Sequence, residues 1–203
     1  MQLLHILSAF FFASSVRACP SYPYNPYIIG DCLSLPVWNE TDQWPDYFLD
    51  DNQIDNITTD MVIPGVSSNV IVSMMKETNM TLDHNLFIVM VGTYDCIKNV
   101  SVDQYYDNII FIRDSILSVN KNAFVMLVIP PKNEVCDILP YKEVVYDIMK
   151  LDPKPYVYLV DLVDLQYYNS QDISPDGIHL TSKGNFNIYN KMVDVMSTFT
   201  CPI

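Results

Sequence analysis

Five short apolar runs recur along the chain, at residues 27–30, 61–66, 86–91, 124–129 and 156–160, with more polar stretches between them. Each is four to six residues long, rich in Ile, Val and Phe, and close to a Gly, Pro or Asp, which predicts buried strands. They are apolar at successive positions rather than alternate ones, as strands are when helices cover both faces of a parallel sheet. Residues 102–118 place Tyr105, Ile109, Ile112 and Ile116 at helical spacing, with Val119 just beyond. Residues 142–149 and 182–197 predict two further helices. The alternation predicts a three-layer α/β domain with a five-stranded parallel sheet and right-handed crossovers. No repeat, low-complexity tract or long linker divides it. Residues 36–60, polar and acidic with Trp38, Trp44, Tyr47 and Phe48, read as a long loop with room for a helix. Such a loop can wall a pocket at the strand ends, or its aromatics can simply pack on the domain.

The apolar run at 3–13 breaks this pattern. It is followed by Val16-Arg17-Ala18, with small residues at the −3 and −1 positions of a cleavage after Ala18. The run is too short for a span, which needs about 20 apolar residues. The reading is a signal peptide at 1–18 and a single secreted domain at 19–203, with no membrane span after cleavage. No Lys or Arg precedes the run, so a signal anchor stays open, as does a lipoprotein attached through Cys19. Asn39, Asn56, Asn79 and Asn99 each begin an Asn-x-Ser/Thr sequon and are candidate glycosylation sites. Losing Arg17 leaves 10 basic residues against 24 acidic ones, a net charge of −14. That balance argues against nucleic acid and anionic membranes as partners.

All five cysteines, at 19, 32, 96, 136 and 201, survive the cleavage, and an odd number leaves one unpaired or paired between chains. Cys19 and Cys201 can clamp the two termini. Cys96 and Cys136 each follow a strand-like run and can meet at one edge of the sheet. Cys32 is then the spare thiol, although other pairings remain open.

The candidate chemistry lies in two segments. Asp176-Gly177-Ile178-His179 can set a carboxylate against one nitrogen of an imidazole, leaving the other for a nucleophile. Gly30-Asp31-Cys32 ends the first apolar run, where a nucleophile would sit. His5 leaves with the leader, and His84, in a polar lead-in, reads as a surface residue, so His179 is the candidate base.

These segments resemble the SGNH, or GDSL-type, hydrolases. Gly30-Asp31-Cys32-Leu33-Ser34 is similar to that family's first block. Residues 64–69 resemble the second block and residues 91–95 the third. Asp176-Gly-Ile-His179-Leu-Thr-x-x-Gly184 resembles the last, and the likeness runs over nearly the whole mature domain. The resemblance implies a flavodoxin-like α/β/α sandwich with the site at the strand ends. It implies Cys32, His179 and Asp176 as a triad, with Cys32, Ser68 and Tyr94 at the oxyanion hole. Three signature positions depart from the family: Cys32 stands for the nucleophilic serine, Ser68 for the oxyanion glycine unless that position is shifted by a residue, and Tyr94 for the oxyanion asparagine.

Two functions follow from this. The three substitutions together point to a catalytically impaired scaffold that binds a glycan, lipid or protein. The intact Asp176–His179 pair points to an acyl ester or thioester hydrolase, since a thiol beside an imidazole is a strong nucleophile. Asp31, Asp95, Asp176 and His179 could converge on a metal, but the sequence has no His-rich or Cys-x-x-Cys spacing of the usual kind. Without a Gly-x-Gly-x-x-Gly or Walker loop, no cofactor is expected.

Overall fold

The computed structural model describes residues 23–35, 37–38, 41–51, 54–78, 83–163 and 172–200. The leader 1–18, Cys19, Cys201, Asn39 and Asn79 lie outside the described residues. Five parallel strands form the main sheet: β1 (Pro26–Gly30), β4 (Thr58–Val62), β5 (Leu86–Met90), β6 (Phe124–Ile129) and β7 (Val157–Asp161). Their spatial order is β4-β1-β5-β6-β7, the doubly wound flavodoxin-like pattern. The side-chain period of two sends alternate residues of each strand to opposite faces. Tyr27, Ile29, Phe87, Val89, Val125 and Leu127 line one core, and Ile28, Ile88, Met90, Met126 and Val128 line the other. Burial of each such side chain is worth about 1.5–3 kcal/mol, which is why these runs are apolar throughout.

Helices α2 (Ser68–Glu77), α4 (Val102–Val119) and α5 (Leu139–Leu151) cover the first face, and α1 (Trp44–Leu49) and α6 (Ser182–Met196) the second. In α4 the Ser101 hydroxyl accepts from the Gln104 N–H at 3.2 Å, capping the first turn. Ile109, Ile112 and Ile116 then form its buried stripe. In α6 the cap is Thr181, and Ile188, Met192 and Met196 face the core. A short helix, α3 (Thr93–Ile97), follows β5.

Several boundaries differ from the sequence pattern. The strand expected at 61–66 runs instead from Thr58 to Val62. Pro64 has no N–H to donate to a ladder and Gly65 has a positive φ of 73°, so the chain turns there. Tyr156, with φ 61°, stands just before β7. The stretch 36–60 contains a two-stranded antiparallel pair, β2 (Val37–Trp38) with β3 (Thr41–Asp42), then α1 and the start of β4. Trp44 and Phe48 are fully buried, and the Trp44 indole N–H donates to the Leu33 carbonyl at 2.7 Å. These two rings are core residues, not a pocket wall. His84 is buried as well, edge-on to Tyr27 at 4.9 Å, because the lead-in to β5 folds under the sheet's end.

Cys96 and Cys136 form a disulfide with Cα atoms 6.0 Å apart. Closing that 40-residue separation stabilises the fold by about 4 kcal/mol on chain-entropy grounds. Asn56 and Asn99 are exposed, as glycan acceptors must be. Among the described residues no helix is long and apolar enough to cross a membrane.

Candidate active site

The candidate residues gather at the carboxyl ends of β1, β4 and β5 and in the turn before α6, the crevice where ligands bind in doubly wound sheets. Cys32 opens a single 3-10 turn after β1 (Cys32–Ser34). Asp31 caps this turn, its carboxylate accepting from the Leu33 N–H at 3.0 Å. The thiol is free and the residue 1% exposed.

His179 approaches from the opposite side. Its Nε2 lies 3.0 Å from Cys32 Sγ, and its Nδ1 lies 2.6 Å from Asp176 Oδ2. A carboxylate can only accept, so Nδ1 carries the proton and Nε2 is left to accept from the thiol. Asp176 Oδ1 accepts the N–H groups of Ile178 and His179, both at 2.9 Å. Burial pushes the Asp176 carboxyl up, but these N–H groups and the imidazole outweigh it and hold it below the usual carboxylate range. Gly177, at φ 73°, makes the turn, and a Cβ there would also lie 3.2 Å from Glu134 Cβ. Gly184 seats the following helix closely, since a Cβ on it would meet the Asp172 carbonyl oxygen at 2.4 Å.

The third group of candidates is arranged differently from the sequence expectation. The Ser68 N–H donates to both oxygens of Asp95, at 3.1 and 3.0 Å, and its hydroxyl donates to the same carboxylate at 2.5 Å. It is therefore not available to an oxyanion, because it serves as the first turn of α2. The N–H of Gly65, together with that of Cys32, acts to lower the pKa of the Cys32 thiol. The signal of Gly65 in the sequence was the Pro64-Gly65 turn at a strand end. The Tyr94 hydroxyl lies 3.7 Å from Cys32 Sγ. Three donors surround the sulfur: the N–H groups of Gly65 and Cys32 and the Tyr94 hydroxyl.

Behind these donors lie two buried carboxylates. Asp31 accepts from the N–H groups of Leu33 and Tyr94, tying the β1 turn to α3; burial, with Asp95 nearby, pushes its pKa up to about 7. Burial raises that of Asp95 too, partly offset by Ser68. Asn108 completes this scaffold, donating to Ser68 Oγ at 2.8 Å and Asn69 Oδ1 at 2.9 Å. Burial, then the neighbouring Asp31, push the Cys32 thiol up to about 11 against the three donors. Cys32 accordingly meets His179 Nε2 as a neutral thiol. Asp31 and Asp95 are committed to the scaffold, away from Asp176. Among the described residues no three His, Cys, Asp or Glu side chains are grouped to hold a metal ion.

No protein-family model matches the sequence, and no curated protein matches it. Solved structures do. A Clostridium thermocellum family 3 carbohydrate esterase superposes with a TM-score of 0.69 at 18% identity, over 85% of this chain and 96% of that one. A protein from Desulfitobacterium hafniense, described as lipolytic and of the G-D-S-L family, gives 0.67 at 16% identity, over 85% and 99%. A carbohydrate esterase of family 3 from Talaromyces cellulolyticus gives 0.67 at 12% identity, over 87% and 100%. At these identities the likeness is one of fold. The protein has an SGNH-type hydrolase fold, with a five-stranded parallel sheet covered by helices on both sides.

Proposed function

We propose that the protein is a secreted acyl hydrolase acting on small esters or thioesters, with Cys32 as nucleophile, His179 as base and Asp176 as its orienter. The observation that carries this reading is the unbroken chain of short contacts from Asp176 through His179 to Cys32 Sγ, 2.6 and 3.0 Å long. The thiol attacks the substrate carbonyl while His179 Nε2 takes its proton, as a general base does for a neutral nucleophile. The N–H groups of Gly65 and Cys32, with the Tyr94 hydroxyl, hold the oxyanion. Collapse expels the alcohol or thiol, which takes the proton from His179, and leaves a thioester on Cys32. Water, deprotonated by His179, then releases the acid and restores the thiol. The carbohydrate esterases among the structural neighbours favour acetylated glycans as substrates.

The second reading is a binding protein on the same scaffold. It is favoured by the burial of Cys32 and by the Tyr94 hydroxyl, which stands close to the sulfur. One experiment separates the two: incubation with p-nitrophenyl acetate and acetylated xylan, with intact-mass detection of a hydroxylamine-labile adduct. Turnover and an adduct, both absent in Cys32→Ala, are expected. No adduct and no turnover across acetyl, longer-chain and thioester substrates leaves the binding reading.

A further inference from the structure

The loop between β6 and α5 touches both sides of the candidate site. On one side, Cys136 is bonded to Cys96, two residues beyond Tyr94 in α3. On the other, the Glu134 N–H donates to the Gly177 carbonyl at 2.9 Å, inside the turn that holds Asp176 and His179. That contact is close-packed, since a Cβ on Gly177 would lie 3.2 Å from Glu134 Cβ. Between the two attachments the loop is held by one side chain: Asn133 Oδ1 accepts the N–H of Val135 at 3.0 Å and of Cys136 at 2.9 Å.

We infer that the Cys96–Cys136 disulfide is a positioning element of the site, fixing the Tyr94 hydroxyl on one side of Cys32 Sγ relative to the His179 imidazole on the other. A five-residue helix such as α3 cannot hold itself in place. Its anchors are the Tyr94 N–H on Asp31, Asp95 on Ser68, the Tyr141 hydroxyl on the Asp95 and Val100 carbonyls at 3.2 and 2.6 Å, and this disulfide. The disulfide is the covalent one among these anchors, and it continues through Asn133 and Glu134 to the acid–base turn. The inference rests on the Cys32-centred chemistry proposed above.

Two variants test it: Cys96→Ala/Cys136→Ala, and Asn133→Ala, which keeps the disulfide but frees the loop that relays it. For each, kcat and KM on p-nitrophenyl acetate are measured beside the rate of Cys32 alkylation by iodoacetamide across pH and the urea midpoint. The double variant should lose about ten- to a hundredfold in kcat with KM nearly unchanged, as small misplacements of reacting groups do. Its Cys32 should be alkylated faster at pH 8, with an altered pH profile. Asn133→Ala should move both readouts the same way by less. If the urea midpoint falls while kcat and the alkylation profile stay at the wild-type values in both variants, the disulfide is a stability staple only and the inference is overturned. If the wild type hydrolyses no ester, the proposed function fails. Alkylation then decides this point: an unchanged profile overturns the coupling and a changed one supports it.

Discussion

The two sides of Cys32 are built in opposite ways. The acid–base side is a single tight turn in which Asp176 and His179 are three residues apart and a glycine lets the chain reverse. Its carboxylate is half-exposed, well supplied with N–H donors and held below the usual range. The donor side is assembled from distant segments: Gly65 after β4, Tyr94 after β5 and the Cys32 turn after β1. It is braced from behind by Asp31 and Asp95, both buried and both pushed up by that burial. One side is thus locally encoded and electrostatically relaxed. The other depends on tertiary structure and keeps buried carboxyl groups that would rather be neutral.

The largest effect expected of any substitution tests whether the two sides meet in one reaction. Cys32→Ala and His179→Ala should each lower ester turnover by at least about a thousandfold, with the double variant no worse than either single one, as for groups that act as a unit. Steady-state rates on p-nitrophenyl acetate for the three proteins give the comparison. Additive losses would mean that the base and the sulfur do not share a step.

Tyr94 decides what the donor side does. If its hydroxyl holds the oxyanion, Tyr94→Phe costs about a hundredfold in kcat, the usual worth of one such donor. Tyr94→Asn, which supplies an amide instead, should recover part of it. The opposite outcome, faster turnover in Tyr94→Phe, would make the tyrosine an obstruction that any activity must displace.

The buried carboxyls predict a pH signature on stability. Asp31 titrates near 3.8 when unfolded and near 7 when folded, so between those values the native state binds more protons than the unfolded one. Stability therefore falls as pH rises from about 4 to 7, and this group contributes a slope of up to about 1.4 kcal/mol per pH unit. Asp95 adds to the slope in the same direction. Asp31→Asn keeps an oxygen for the Leu33 N–H, so it should flatten the dependence without unfolding the turn. Urea midpoints at pH 5 and pH 8 measure it. An unaltered slope in the variant would move the effect to Asp95 or elsewhere.

The same contrast explains what could be seen in the sequence. The strands and α4 were legible because burial on both faces and the 3.6-residue stripe leave direct marks in residue type. Asp176 and His179 were legible because both partners of a local turn are side chains within four positions. Gly65 was not assigned, because its contribution is a backbone N–H, and any residue nearby offers one. Only the turn geometry and the fact that Asp95 occupies the Ser68 N–H decide between the two. The Cys96–Cys136 pairing could be anticipated from two strand ends, but its link to Gly177 through Glu134 depends on a loop whose course no periodicity records. The burial of His84 was equally invisible, since it sits in a polar lead-in, whereas that of Trp44 was one of the two readings the 36–60 stretch left open.

Lys98 offers the smallest test, and it probes how firmly the donor side is held. Its ammonium donates to the Gly65 carbonyl at 2.5 Å and lies 5.8 Å from the centre of the Tyr94 ring, so one exposed side chain touches both donor residues. The tyrosine ring already packs close to Gly65, where an added Cβ would meet it at 3.7 Å. Lys98 therefore adds a fastening and does not create the arrangement. Lys98→Met keeps the aliphatic stem and removes the charge and the hydrogen bond. It should lower kcat about fivefold, the equivalent of roughly 1 kcal/mol for one exposed hydrogen bond, and leave KM unchanged. Lys98→Arg can reach the same carbonyl and should restore most of the loss. A kcat unaffected by Lys98→Met would mean that burial and the other anchors of α3 hold Gly65 and Tyr94 without it. The donor side would then be as rigid as the acid–base side, despite being assembled from three strand ends.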